Sequence, residues 1–370
     1  HLVEVLREAT GYEYIIPTHQ GRAAEQILSE VMIQPGQLVP GNMYFTTTKL
    51  HQELAGGVFA DVIVDEAHDP DSDFPWKGNI DMAKLEALVD EHGAEKIAYI
   101  SFEHSVNMAG GQPVSMENMR DVYAYCSSHH IPVFFDATRL AENAYMIQQR
   151  DAHYKNTKVR DILREMLLYG DGCTVSGKKD FLINFGGLLA YRDNAVWAKK
   201  SEELLRVYEG NVTVGGLAAS DLAAIAQGVQ EMLNDRYIRA RVMQTEDLGQ
   251  MLLDAGVPIV TPPGSHAIFL DAKRFLPHID QDEYLHLVDV LKEATGYEHI
   301  IPTHQGRAAE QILSEIMIEP GQLVPGNMYF TTTKLHQELA GGVFADVIVD
   351  EAHDPDSDFP WKGNIDMAKL

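Results

Sequence analysis

Ile131-Pro132-Val133-Phe134-Phe135-Asp136-Ala137-Thr138-Arg139 reads as an apolar strand that delivers a carboxylate at its C-terminal end, with a guanidinium three residues later. Working outward, β-rich runs recur at 58–64, 96–102, 173–176 and 188–191. Between and beyond them lie helical patterns at 82–92, 116–129, 140–150, 159–169, 195–208 and 217–234. Strands alternating with helices predict an α/β domain with a mainly parallel sheet and helices on both faces. A long helix near 236–255 then leads to GVPIV and HAIFLDAKRF, which read as strands of a smaller α+β domain that is left incomplete.

The chain of 370 residues carries 29 Lys and Arg against 55 Asp and Glu, a formal charge of −26. That balance argues against a nucleic-acid partner, which needs a basic face, and against docking on anionic membranes. No apolar run approaches the ~20 residues that a membrane-spanning helix requires. Cys126 and Cys173 alone make neither a disulfide framework nor a four-thiolate zinc site, so a reducing cytoplasm is expected. The opening HLVEVLREATG is an amphipathic helix and not a signal peptide, and it starts as if cut from a longer chain.

Residues 1–85 recur at 286–370 with five differences: Glu4/Asp289, Arg7/Lys292, Tyr14/His299, Val31/Ile316 and Gln34/Glu319. The expected organisation is a large domain at 1–235, a linker helix and the start of a small domain at 236–284, and the near-identical duplicate at 285–370, which interrupts the small domain near Asp282. Two copies cannot fill one slot in one core. One copy is therefore expected to be unfolded, swapped into a neighbouring chain or packed non-natively.

Several motifs invite chemistry. VIVDEAHD at 62–69 looks like a Walker-B box, and 172–179 is a near P-loop, but Lys179 stands where a Mg²⁺-binding Ser or Thr is required. Asp69-x-Asp71-x-Asp73 starts like a calcium loop, yet Phe74 and Ile80 occupy the places of its Gly and Glu, so a solvated acidic loop is expected. In Ser176-Gly177-Lys178-Lys179-Asp180, desolvation or the neighbouring ammonium of Lys178 would lower a lysine pKa and expose a nucleophilic amine. Asp136 at its strand end could keep a pyridinium nitrogen protonated, or could cap the following helix. Gln20-Gly21-Arg22 opens a helix whose N–H groups could approach a phosphate. Tyr44-Phe45-Thr46 could stack on a flat cofactor or belong to an ordinary strand.

Taken together and in order, THQGRAAE, GNMYFTTT, SFEHSVNMAGGQPVS, FFDATR and SGKKD resemble the tryptophanase and tyrosine phenol-lyase group of β-eliminating lyases, from about Leu2 to about Glu283. The resemblance implies a fold-type I pyridoxal-phosphate enzyme. It matches Lys179 to the Schiff-base lysine, Lys178 to its companion and Thr46 to a polar residue of the catalytic group. It matches Asp136 to the partner of the pyridine nitrogen, and Arg139 and Asn107 to contacts of the phenolic oxygen. Gln20, Gly21, Arg22 and Ser176 match the phosphate cup, Phe45 the stacking ring, and Asn184 one contributor to a monovalent-cation (K⁺) site.

The implied activity is β-elimination of an aromatic L-amino acid, L-tyrosine to phenol or L-tryptophan to indole, with pyruvate and ammonia, in a cytoplasmic homo-oligomer (dimer or tetramer). DGCTVSGKKD looks more like the tyrosine enzyme. Family members also carry sequence before the position of His1 and a C-terminal arginine that grips the substrate carboxylate. Here the duplicate stands in place of that region, and Arg307 repeats Arg22, so no basic residue matches that arginine. The alternative expectation is therefore a catalytically impaired cofactor-binding chain.

Overall fold

A seven-stranded sheet organises the first part of the chain, in the order β1-β7-β6-β5-β4-β2-β3. The strands are β1 (Tyr14–Thr18), β2 (Leu38–Gly41), β3 (Val58–Asp61), β4 (Ile100–Glu103), β5 (Val133–Asp136), β6 (Gly172–Ser176) and β7 (Gly187–Tyr191). The computed structural model describes residues 1–275, 277, 292–293, 295–300 and 306–370. It divides into two units, His1–Pro277 and His278–Leu370. The predicted junction near Asp282 lies outside the described residues, as does the side chain of Arg307.

Pairing is parallel through β6-β5-β4-β2-β3, while β7 runs antiparallel to both of its neighbours, β1 and β6. Alternation along the strands splits the apolar side chains between the two faces. Val133, Phe135, Cys173, Val175 and Leu188 join one core with α1 (Leu2–Thr10), α5 (Met116–Ser128), α6 (Leu140–Arg150), α7 (Val159–Leu167) and α9 (Ala219–Met232). Phe134, Leu189 and Tyr191 join the other with α2 (Gly21–Met32) and α8 (Ala195–Tyr208). Helix starts follow their capping residues: Asp81 accepts from Ala83 and Lys84 before α4 (Met82–His92), and Ser115 accepts from Asn118 before α5.

Several elements depart from the sequence-based expectation. The run at 58–64 is a strand only to Asp61, and Asp65–His68 forms an exposed 3₁₀ turn in which Asp65 accepts from Lys84 at 2.5 Å. GNMYFTTT is not a strand: Phe45 stands at the N-cap of α3 (Thr46–Leu54). The long helix is α10 (Asp235–Asp254). HAIFLDAKRF is also not a strand. Ile259 and Leu270 make a single antiparallel bridge, and Ala272–Phe275 is a short helix, α11. Pro258, Pro262 and Pro263 each lack a donor for a longer ladder.

In the second unit, helices Gly306–Met317 and Thr331–Leu339 and the parallel pair Leu323–Gly326 with Val343–Asp346 repeat the local elements of residues 21–61. That pair forms its own two-stranded sheet. The described residues of the second copy thus keep the local elements of the first.

Candidate active site

The C-terminal ends of β1, β4, β5 and β6 converge on one cleft of about 260 Å³, near the lower end of the ~300–1,000 Å³ typical of small-molecule sites. Gln20, Gly21 and Arg22 enter it from the start of α2, Phe45 from the start of α3, and Asn107 from the turn after β4. Asp136 and Arg139 enter at the end of β5, and Ser176, Lys178 and Lys179 after β6. Thr46 and Asn184 do not line it. Thr46 is the exposed first residue of α3, with Thr47 lining the cleft instead, and Asn184 is exposed in the β6–β7 connection.

The two lysines differ. Lys179 is half-buried and donates to Ser176 Oγ at 2.9 Å. Burial, then the Arg139 guanidinium, push its pKa below the usual lysine range. Lys178 is exposed, with Nζ 5.6 Å from the Phe185 ring centroid. Asp136 does not cap α6; its Oδ1 accepts from the Thr138 N–H at 3.0 Å, and Arg139 takes the N-cap position. The carboxyl of Asp136 is raised, first by burial.

Gly21 shows why the phosphate-cup position is glycine. A Cβ there would meet Ser176 Cβ at 2.6 Å and Ser176 Cα at 2.8 Å. The close approach brings the first turn of α2, whose N–H groups have no intrahelical acceptor, against the end of β6.

Residues not anticipated from the sequence complete the walls. Glu103, the last residue of β4, is raised to about 8, first by burial and then by Asp136. Its Oε1 accepts from the Asn107 N–H at 2.9 Å, while its Oε2 is sealed without a hydrogen-bond partner. Glu25 is raised to about 7 by burial and by Asp136, and accepts from Thr47 Oγ1 at 2.9 Å. His104 is buried against Phe135, with ring centroids 4.4 Å apart, and burial pushes it down to about 3. An acid at the end of the apolar strand Ile100-Ser101-Phe102-Glu103 is the same signature that singles out Asp136, so Glu103 was detectable.

The other motifs have structural partners. Asp71 pairs with Arg274, and Lys77 Nζ donates to the Asp69 carbonyl at 2.6 Å. Among the described residues no group of three or more His, Cys, Asp or Glu could hold a metal, and no helix is long and apolar enough to cross a membrane.

The beta-eliminating lyase family model matches residues 1–280 and again 278–370. The chain is 55% identical over 283 residues to a tyrosine phenol-lyase of Symbiobacterium sp. (strain SC-1), covering 76% of this chain and 62% of that protein. It is 57% identical over 283 residues to a tyrosine phenol-lyase of Intrasporangium calvum, covering 76% and 60%. The match thus spans about three fifths of the length of these relatives. Among solved structures it is similar to an aromatic aminotransferase from Pyrococcus horikoshii OT3, with TM-score 0.54 and 14% identity over 79% of this chain and 72% of that one. That likeness carries the fold alone, the fold-type I α/β architecture.

Proposed function

The chain belongs to the beta-eliminating lyase family, and from that premise we propose that it is a pyridoxal-phosphate-dependent carbon–carbon lyase. It would cleave an aromatic L-amino acid by β-elimination, releasing pyruvate and ammonia. L-tyrosine, giving phenol, is favoured over L-tryptophan, giving indole, because the similar relatives above are tyrosine phenol-lyases. The observation that carries the reading is Lys179, an amine with a lowered pKa, facing the same cleft as Asp136 and the first turn of α2.

The residues present fit the cofactor. The glycine cradle at Gly21 leaves backbone N–H groups for a phosphate, with Gln20, Arg22 and Ser176 around them. Asp136 supplies an anionic partner for a ring nitrogen, Arg139 and Asn107 donors for a ring oxygen, and Phe45 an aromatic wall. When bound, pyridoxal phosphate would supply an electron sink for the charge left at the substrate α-carbon.

The chain's own residues then act on protons and positions. Lys179 is more often neutral at a given pH than an ordinary lysine, so it would hold the cofactor and, when free, would take the α-proton. Lys178 adds positive charge beside it, and the resemblance's polar role for Thr46 is kept for a residue next to Phe45 but outside the cleft lining. The same reading includes a monovalent cation near Asn184, a homo-oligomer and a cytoplasmic location.

Incubation with pyridoxal phosphate and L-tyrosine or L-tryptophan, followed by pyruvate detection, tests the proposal. Pyruvate with phenol is expected. A visible cofactor band without pyruvate would favour the impaired cofactor-binding alternative, and no visible band would remove both.

A further inference from the structure

Glu142 is fully buried on α6 and touches four polar groups from three segments. Arg139 Nη1 lies 3.2 Å from its Oε1, and Arg241 Nη2, from α10, lies 2.7 Å from the same oxygen. His266 Nδ1 lies 3.0 Å from Oε2, which also accepts from Ser265 Oγ at 3.1 Å. Burial alone would raise this carboxyl, but the His266 hydrogen bond and the two guanidiniums outweigh it and hold Glu142 below its usual range.

Three of these partners connect on to residues of the cleft. Arg241 Nη1 donates to the Lys179 carbonyl at 3.1 Å and lies 3.6 Å from Asp180 Oδ1. Asp180 in turn accepts from the Ala141 N–H at 2.8 Å. His266 Nε2 lies 3.2 Å from Asn107 Oδ1. Arg139 lines the cleft itself. One carboxylate therefore connects to Lys179 through Arg241, to Asn107 through His266, and to Arg139 directly.

We propose that Glu142 is a positioning residue that fixes Lys179, Arg139 and Asn107 relative to one another, so that the segments 176–182 and 105–111 hold or loosen together. The cofactor-facing roles of those three residues rest on the proposed function; the mechanical coupling does not. A buried carboxylate that served only α6 and α10 would not need arms ending on two separate cleft loops. Removing its charge should strand the Arg241 and His266 partners and loosen both loops, because buried charged groups hold geometry only when fully paired.

The test is amide hydrogen exchange on the full chain, with and without pyridoxal phosphate. Glu142→Gln should raise exchange by about tenfold in both 105–111 and 176–182, with 187–191 unchanged. In the loaded protein it should also shift the pH midpoint of the visible band. Exchange raised only in 140–150 and 235–254, with an unmoved midpoint, would overturn the proposal. If Glu142→Gln does not fold, Arg241→Lys should loosen 176–182 alone and His266→Gln 105–111 alone; protection unchanged in either would overturn it. A wild-type chain that takes up no pyridoxal phosphate would strike the proposed function, while the cofactor-free exchange would still decide the coupling.

Discussion

Glu103 and Asp136 stand opposite each other as the last residues of two neighbouring parallel strands. Register partners on adjacent strands project to the same face, so both carboxyls meet the cleft, with Glu25 a third acid nearby. Glu103 and Glu25 are held at about 8 and about 7, against an ordinary value of 4.5. Acids raised by folding bind protons more tightly in the folded state. Their contribution is therefore fully present below about pH 4.5 and is lost as pH rises through the folded values. The cofactor-free chain should lose thermal stability between about pH 5 and pH 8. Glu103→Gln should flatten part of that fall, leaving the variant a few degrees more stable than wild type at alkaline pH. Calorimetry across the range would show it. An unchanged slope would mean that Glu103 is ionised throughout.

The lysines give a second prediction. Lys179 is half-buried against Ser176, whereas Lys178 is exposed over Phe185. Lys179→Ala should abolish the borohydride-reducible cofactor adduct, and Lys178→Ala should keep it. Peptide mapping decides the matter; a reduced adduct on Lys178 would overturn the assignment. Arg139→Gln should move the pH midpoint of adduct formation upward, because removing a neighbouring cation lets the Lys179 pKa rise toward its ordinary value.

What could be read in advance follows from local signals. The strand around Phe134, the lysine after β6 and the glycine that opens α2 each carry their chemistry within a few residues. Glu25, Glu142 and His266 do not. Their importance arises from strand order and from α10 and the 265–266 segment reaching back to the cleft, contacts spanning up to 159 positions. HAIFLDAKRF misleads for a related reason. Its apolar residues suggest a strand, but a strand needs a partner ladder, and the facing segment contains prolines.

Gly21→Ala isolates the phosphate cradle. Its methyl would meet Ser176 Cβ at 2.6 Å and the Ser176 backbone at 2.8 Å, atoms that cannot swing aside. The helix start must then retreat from β6, at a cost of about 1–3 kcal/mol for overpacking. We expect a lowered melting temperature and pyridoxal-phosphate affinity weakened by about tenfold or more. Equilibrium dialysis checks the second effect, and wild-type affinity would show that the cup does not depend on that close approach.

The duplication yields the last prediction. In the first copy Ile27 and Leu28 are 0% and 5% exposed, packed in the core beneath the large sheet. Their counterparts Ile312 and Leu313 are 42% and 62% exposed. The two copies are nearly identical in sequence, so the difference arises from context. β2 pairs with both β3 and β4, whereas among the described residues Leu323–Gly326 pairs only with Val343–Asp346. Loop-closure entropy favours either copy by little, about 0.6 kcal/mol per doubling of loop length, so packing against β4, β6 and β7 decides occupancy. Among the described residues, that packing is made by residues 1–85, and Arg22 lines the cleft. Arg22→Ala should therefore weaken cofactor binding while Arg307→Ala leaves it unchanged. Equal losses in a fluorescence titration would indicate exchange of the two copies in the sheet, and a larger loss for Arg307→Ala would show that the permuted arrangement is the folded one.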